Sequence, residues 1–164
     1  MTHTAQQPPS IAPARREPTP PAPVRAAFAL WVTAVAAGAF ETVLAVGRMV
    51  AEGSGSVPAI AVGLTVRLAV FTAALLIALR MRRGRGWARI TLALGLGVAG
   101  TASMVVEPLR ALAQGHSPGA ALAQADALDL VFGASRALHV TAVLTAVVLM
   151  FLPAANSYFR ARRG

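Results

Sequence analysis

Apolar residues fill four long stretches of the chain and leave no polar face along them. The stretches cover residues 26–46, 57–79, 87–106 and 127–152. Each has about 20 to 26 residues, enough for a helix to cross a hydrocarbon core of about 30 Å. Helices of a soluble bundle would instead keep a polar face opposite their apolar positions. The pattern therefore predicts an all-α polytopic membrane protein, a bundle of four transmembrane helices spanning residues 24–153.

The two ends of the chain differ in composition from the apolar stretches. Residues 1–23 include "QQPPSIAPARREPTPPAP" and hold seven of the eleven prolines, with no periodic apolar pattern. Such a segment favours a disordered, partly polyproline II tail and does not resemble a signal peptide. Residues 154–164 are predicted to form a basic tail, with Tyr158 and Phe159 at the membrane interface.

The basic residues indicate an orientation and not a nucleic-acid surface. All fifteen are arginines, the net charge is +9, and most lie beside the two termini or in the "RMRRGRG" connection. Cytoplasmic loops of membrane proteins carry an excess of arginine and lysine. We therefore expect a multi-pass plasma-membrane protein with both termini in the cytoplasm. Binding to nucleic acid is not expected, because membrane orientation already accounts for the charge.

No motif for catalysis or metal binding is found in the sequence. The chain has no cysteine and three histidines, and these histidines lack metal-ligand spacing. Nucleophile elbows, phosphate-binding loops and dinucleotide-binding fingerprints are absent. We therefore predict a non-enzymatic protein without catalytic residues, metal site or cofactor.

Ionisable side chains inside the apolar stretches are the strongest functional signal. At about 1.5 Å per residue, Glu41, Arg67, Arg136 and His139 lie about 18 to 24 Å from the cytoplasmic end. Because an unpaired charge is costly in a membrane, we expect Glu41 to pair with Arg67, with Arg136 as the alternative partner. The candidate intramembrane cluster also contains two further polar residues, Ser103 at a similar depth and Glu107 near the outer boundary.

Helical spacing assigns several of these residues to shared faces. Gly95, Ala99 and Ser103 recur every four residues, which predicts a small-residue stripe for close helix packing. Two further faces are predicted by the same spacing: Ala34, Gly38 and Glu41, and Asp129, Arg136 and His139.

Three interpretations of the cluster remain open. Ion pairs can fix which helices pack together and in which register, and this structural role is favoured. The charges can alternatively form a ligand pocket open to the outer face, or part of an ion or proton path. Finally, some of the side chains can extend toward water without meeting one another.

The chain resembles a set of small four-helix integral membrane proteins of unknown function from high-GC actinobacteria. The stretches that carry the resemblance are "WVTAVAAGAFETVLAV", "RGRGWARITLALG" and "LMFLPAANSYFRARRG", following a proline-rich tail. The resemblance implies a plasma-membrane location and a four-helix topology, and it supplies no catalytic residues.

Two classes of function follow from these patterns. The favoured class is an interaction or scaffold protein, which could form a homo-oligomer or bind another membrane protein. Its partners would be the lipid bilayer and a cytoplasmic protein that recognises the proline-rich tail. The alternative is a small transport or sensing protein that uses the intramembrane cluster.

Overall fold

The computed structural model describes residues 19–162, and all regular secondary structure in that range is helical. The helices are α1 (Ala22–Ala51), α2 (Val57–Arg82), α3 (Gly86–Ala113), α4 (Pro118–Gln124), α5 (Ala127–Met150) and α6 (Pro153–Ala161). The predicted disorder of residues 1–23 lies outside the described residues for positions 1–18 and stays a prediction there, whereas residues 22–23 belong to α1.

Four of the helices, α1, α2, α3 and α5, are long and apolar enough to cross a membrane. The predictions of an all-α fold and of four such helices are therefore confirmed. Local sequence sets where they begin. The Ser56 hydroxyl accepts a hydrogen bond from the Ala59 N–H at the start of α2, and Asp126 and Asp129 form a capping box at the start of α5. Such caps satisfy amide groups that have no partner within the helix.

Helix α3 differs from a regular α-helix in its middle. Residues Leu92–Gly100 are π-helical and lie between α-helical segments. The segment contains three glycines, at positions 95, 97 and 100. Glycine has a lower α-helix propensity than every other residue except proline. Because π-helical turns often occur at functional sites, the space beside this segment is a candidate site.

The core lies at one end of the bundle, which we call the closed end. This end contains the start of α1, the α2–α3 turn at residues 83–85, and α6. Its largest fully buried side chains are Val24, Trp31, Met81, Leu92, Met150 and Phe159. The most extensive packing is between α1 and α5.

Helix α6 docks on the closed end of the bundle. Phe159 is fully buried and Tyr158 is 5% exposed. The Tyr158 hydroxyl donates a hydrogen bond to the carbonyl oxygen of Arg82 at 3.0 Å. The Arg89 guanidinium lies 4.7 Å from the centre of the Phe159 ring. Helix α6 therefore folds back and buries both aromatic side chains against the bundle, and their position at the membrane interface stays a prediction.

The opposite end, which contains the α1–α2 loop and α4, is the open end. The open-end part of α3, Thr101–Ala113, contains no buried residue. In α2 the buried residues begin only at Ala74, and in α5 only at Ala142. The four long helices are therefore packed tightly at one end and leave space between them toward the other.

Candidate functional site

Helix α1 carries the most deeply buried charge of the described residues. Glu41 is 3% exposed and faces α5, where an Arg136 nitrogen lies 3.5 Å from one carboxylate oxygen. The His139 Nδ1 lies 3.4 Å from the other oxygen, without the geometry of a hydrogen bond. Glu41 therefore has its partners on α5, and the alternative partner Arg136 replaces the expected Arg67.

A glycine in α1 permits this close packing. A Cβ atom at Gly38 would lie 3.1 Å from both the His139 ring on α5 and the Phe71 ring on α2. Such contacts are tighter than ordinary van der Waals separation, so the absent side chain lets both rings approach the α1 backbone. The predicted shared face of Ala34, Gly38 and Glu41 is confirmed, since all three are buried.

Arg67 contacts α1 through a hydroxyl and not through a carboxylate. Its Nη1 donates to the Thr42 Oγ1 at 2.9 Å, and that hydroxyl donates in turn to the carbonyl oxygen of Gly38 at 2.7 Å. The expected pairing of Arg67 with Glu41 was wrong. Thr42 was missed because a threonine inside an apolar helix usually hydrogen-bonds its own backbone, and it does so here while also accepting from Arg67.

The predicted face of α5 is confirmed as the one that meets α1. Arg136 and His139 approach Glu41, and Asp129 forms an ion pair with Arg48 at 2.6 Å near the open end. Arg48 also contacts Glu52 and Asp126. This second group of charges is exposed and tethers the open ends of α1 and α5 together.

The small-residue stripe predicted on α3 does not pack against another helix of the bundle. Gly95 and Ala99 are exposed, whereas Gly97 is buried. A Cβ atom at Gly97 would lie only 2.8 Å from the Val147 side chain of α5. The close contact of α3 with α5 is therefore made at Gly97 and not on the predicted stripe.

The remaining two members of the predicted cluster have different positions. Ser103 donates a hydrogen bond to the carbonyl oxygen of Gly100 at 2.7 Å and faces the same space as Glu41. Glu107 lies outside the cluster, since it is exposed and pairs with Arg110 at 2.8 Å. The structure therefore brings together five of the six predicted residues.

A cavity of about 350 Å³ lies among α1, α2, α3 and α5 where the closed end meets the open end. Its polar lining comes from Glu41, Arg67, Ser103, Arg136 and His139. Apolar side chains, among them Trp31, Phe71 and Val143, line the part nearest the core. Because Arg67 and Ser103 are exposed, the cavity is open and not sealed.

Several buried polar atoms at this cavity have no hydrogen-bond partner within residues 19–162. They are the Trp31 Nε1, the Glu41 Oε1, the Arg136 Nε and the His139 Nδ1. Buried polar groups in native proteins are usually satisfied, so each exception needs an explanation. Trp31 was not recognised from the sequence, because a tryptophan in an apolar stretch gives no sign of whether its N–H is paired.

The donor set at the cavity does not resemble a metal site. Within residues 19–162, no group of three or more histidine or acidic side chains is placed to hold a metal ion. The arrangement mixes guanidinium donors with a single carboxylate, which is chemistry suited to polar recognition.

Comparison with known proteins gives no assignment. No family model, no curated protein and no solved structure matches this chain.

Proposed function

We propose that the chain is a plasma-membrane protein with both termini in the cytoplasm, and that its cavity binds a small polar ligand reaching it from the outer side. In this proposal the protein acts in sensing or transport and is not an enzyme. The closed end would face the cytoplasm, because it carries the termini and the arginine-rich α2–α3 turn.

The single observation that supports this proposal is the cavity itself. Four ionisable side chains from α1, α2 and α5 line one space of about 350 Å³. That volume falls in the range of about 300 to 1,000 Å³ typical of ligand pockets. Ionisable groups inside membrane-spanning helices commonly mark a ligand or ion pathway. Large apolar side chains exposed on α2, α3 and α5 would meanwhile contact lipid.

Cysteine accessibility tests the cavity, since the native chain has no cysteine. Ser103→Cys places a thiol at the lining, and it should react with a membrane-impermeant thiol reagent added from the outer side. Ala102→Cys is the matched control, because Ala102 is adjacent but is not a lining residue, and should react slowly in lipid. Equal, slow reaction at both positions would contradict an outward-opening cavity.

Reporter fusions test the orientation independently. Fusions after Gly164 and at Glu17 should report the cytoplasm, and fusions near Gly53 and Ser117 should report the outer side. An outward C-terminus would overturn the proposed orientation.

An interaction role is the second candidate, and the exposed face of α3 favours it. A Cβ atom at Gly95 would meet no atom within 4 Å, and Ala99 beside it is also exposed. Small residues on a lipid-facing helix allow another helix to pack closely. If this face forms a homo-oligomer, Gly95→Leu should dissociate it in lipid nanodiscs, while Gly63→Leu on α2, another open position, should not.

A further inference from the structure

The charged side chains that line the cavity have a net positive charge, and Arg67 supplies the excess positive charge. We propose that the cavity selects ligands that carry one negative charge and an apolar body, and that Arg67 binds the anionic group. This inference rests on the proposed function, since it assumes that a small molecule enters the cavity.

In the described part of the chain, the Arg67 guanidinium has no counterion. Among residues 19–162, its hydrogen-bond partner is the Thr42 hydroxyl, and Glu41 is instead held by Arg136 and His139. A guanidinium has five N–H donors in a planar fork, so most of its donors remain for another partner. A buried or membrane-embedded charge is costly unless it is paired. An anion in the cavity would provide that partner.

The other charged groups of the cavity do not cancel the charge of Arg67. Glu41 contributes one negative charge, and Arg136 offsets it at 3.5 Å. His139 contributes no negative charge. The net charge at the lining is therefore at least one positive, and it matches one anionic group on a ligand. A cationic ligand would be repelled by the same arrangement.

The apolar part of the lining suggests the rest of the ligand. Toward the closed end, Trp31, Phe71 and Val143 line the cavity, and such side chains favour burial of an apolar body. Trp31 is 1% exposed and its indole N–H has no partner. A ligand seated with its anionic group at Arg67 would bring its apolar body to this tryptophan.

A carboxylate suits Arg67 particularly well. Guanidinium and carboxylate groups form paired, charge-assisted hydrogen bonds in a planar geometry. A charge-assisted hydrogen bond contributes about 1.5 to 3 kcal/mol, so a carboxylate should bind about tenfold to a hundredfold more tightly than its neutral amide analogue.

Trp31 can report on the occupancy of the cavity. The chain has two tryptophans, Trp31 and Trp87. The Trp87 side chain is 52% exposed. Trp87→Phe therefore leaves Trp31 as the only tryptophan. The probes are 4-bromobenzoate and 4-bromobenzamide, which have nearly the same shape and carry bromine as a fluorescence quencher, but differ in charge. Both are titrated into purified full-length Trp87→Phe protein in lipid nanodiscs.

We expect saturable quenching of Trp31 by 4-bromobenzoate at concentrations about tenfold or more below those needed for 4-bromobenzamide. Arg67→Gln should remove this preference by weakening the binding of 4-bromobenzoate much more than that of the amide. Arg67→Lys should retain part of it, since the charge remains but the planar fork is lost. Arg110→Gln is the matched control, because Arg110 is exposed near Glu107 and does not line the cavity.

The outcomes separate this inference from the function on which it rests. Saturable quenching by both probes with equal affinity, or a preference for the carboxylate that survives in Arg67→Gln, would overturn the role of Arg67 and leave the cavity as a ligand site. If neither probe quenches Trp31 saturably, the ligand site itself is overturned. Circular dichroism of each variant identifies loss of folding, and Arg67→Lys then serves as the test of the anion preference.

Discussion

The closed and open ends of the bundle are built from similar sequences but have different packing. At the closed end, alanines on α1, α2, α3 and α5 let the helices approach one another, and larger side chains such as Trp31 and Phe159 fill the remaining space. At the open end, the same kinds of residue are exposed, and the buried side chains include Glu41 and Thr42. Apolar composition alone therefore does not produce a core, because a helix needs a neighbour close enough to cover it.

The difference in packing gives the two ends different roles in the candidate site. Tight packing fixes side chains in single arrangements, and the closed end can act as a rigid support. The open end leaves space in which charged groups on three helices face one another. A site held by a rigid base and open on one side is the arrangement that ligand pockets commonly have.

The largest expected effect is on the closed-end core. Phe159→Ala should lower the free energy of unfolding by about 3 to 5 kcal/mol, because Phe159 is fully buried and its removal leaves a cavity. Phe40→Ala is the matched control at the open end, where Phe40 is 46% exposed, and should cost far less. Denaturant titration in mixed micelles measures both. Equal losses would show that the two ends do not differ in packing.

The second effect distinguishes two glycines of the π-helical segment. Gly97→Ala should destabilise the fold by about 1 to 3 kcal/mol, because the added Cβ would lie 2.8 Å from the Val147 side chain. Gly95→Ala should be neutral or slightly stabilising, since nothing lies within 4 Å and alanine favours helices. The measurement is the free energy of unfolding of each variant. The double variant Gly97→Ala with Val147→Ala should recover part of the loss. The reverse ranking would restore the small-residue stripe predicted from the sequence.

A double-mutant cycle tests which charged side chains are paired where the two ends meet. Glu41→Gln and Arg136→Gln should show a coupling energy of about 1 to 2 kcal/mol, reduced from that of a fully buried pair because Arg136 is partly exposed. The cycle of Glu41→Gln with Arg67→Gln should give less than about 0.5 kcal/mol, because these side chains have different partners. Strong coupling in the second cycle and none in the first would reverse the assignment.

The smallest effect is expected at the open-end part of α3. Glu107 and Arg110 form an exposed pair, and such pairs contribute about 0 to 1 kcal/mol. Glu107→Gln should leave both thermal stability and the quenching of Trp31 by 4-bromobenzoate within experimental error. A clear loss of quenching would place Glu107 in the ligand site, as the sequence originally suggested.

The helices were predictable because their signal is local. Apolar stretches of sufficient length predicted α1, α2, α3 and α5, and the capping residues Ser56 and Asp126 lie at the predicted starts. The depths of Glu41, Arg67, Arg136 and His139 also follow from counting residues along a helix. Because these residues lie at similar heights along their helices, most of the candidate cluster meets in the structure.

The partners of those residues could not be predicted, because depth does not specify the angle at which two helices face each other. Glu41 faces α5, so it meets Arg136 and His139, and Arg67 meets Thr42 instead. The packing of α3 in the bundle was misplaced for a related reason, since residue spacing along α3 does not specify which of its faces meets α5. Helix α6 was missed because its burial depends on contacts with α2 and α3 that lie far away in the sequence.

The sequence by itself determined the number of long helices, the ends at which charge accumulates and the level of the ionisable groups, because these depend on hydrophobicity and on the fixed rise of a helix. Only the tertiary structure decided which side chains meet, where the core lies and that a cavity remains, because these depend on the rotation and spacing of helices packed against one another. The position of Arg67 along α2 follows from the sequence, but its lack of a counterion among residues 19–162 follows from the orientation of Glu41 toward α5.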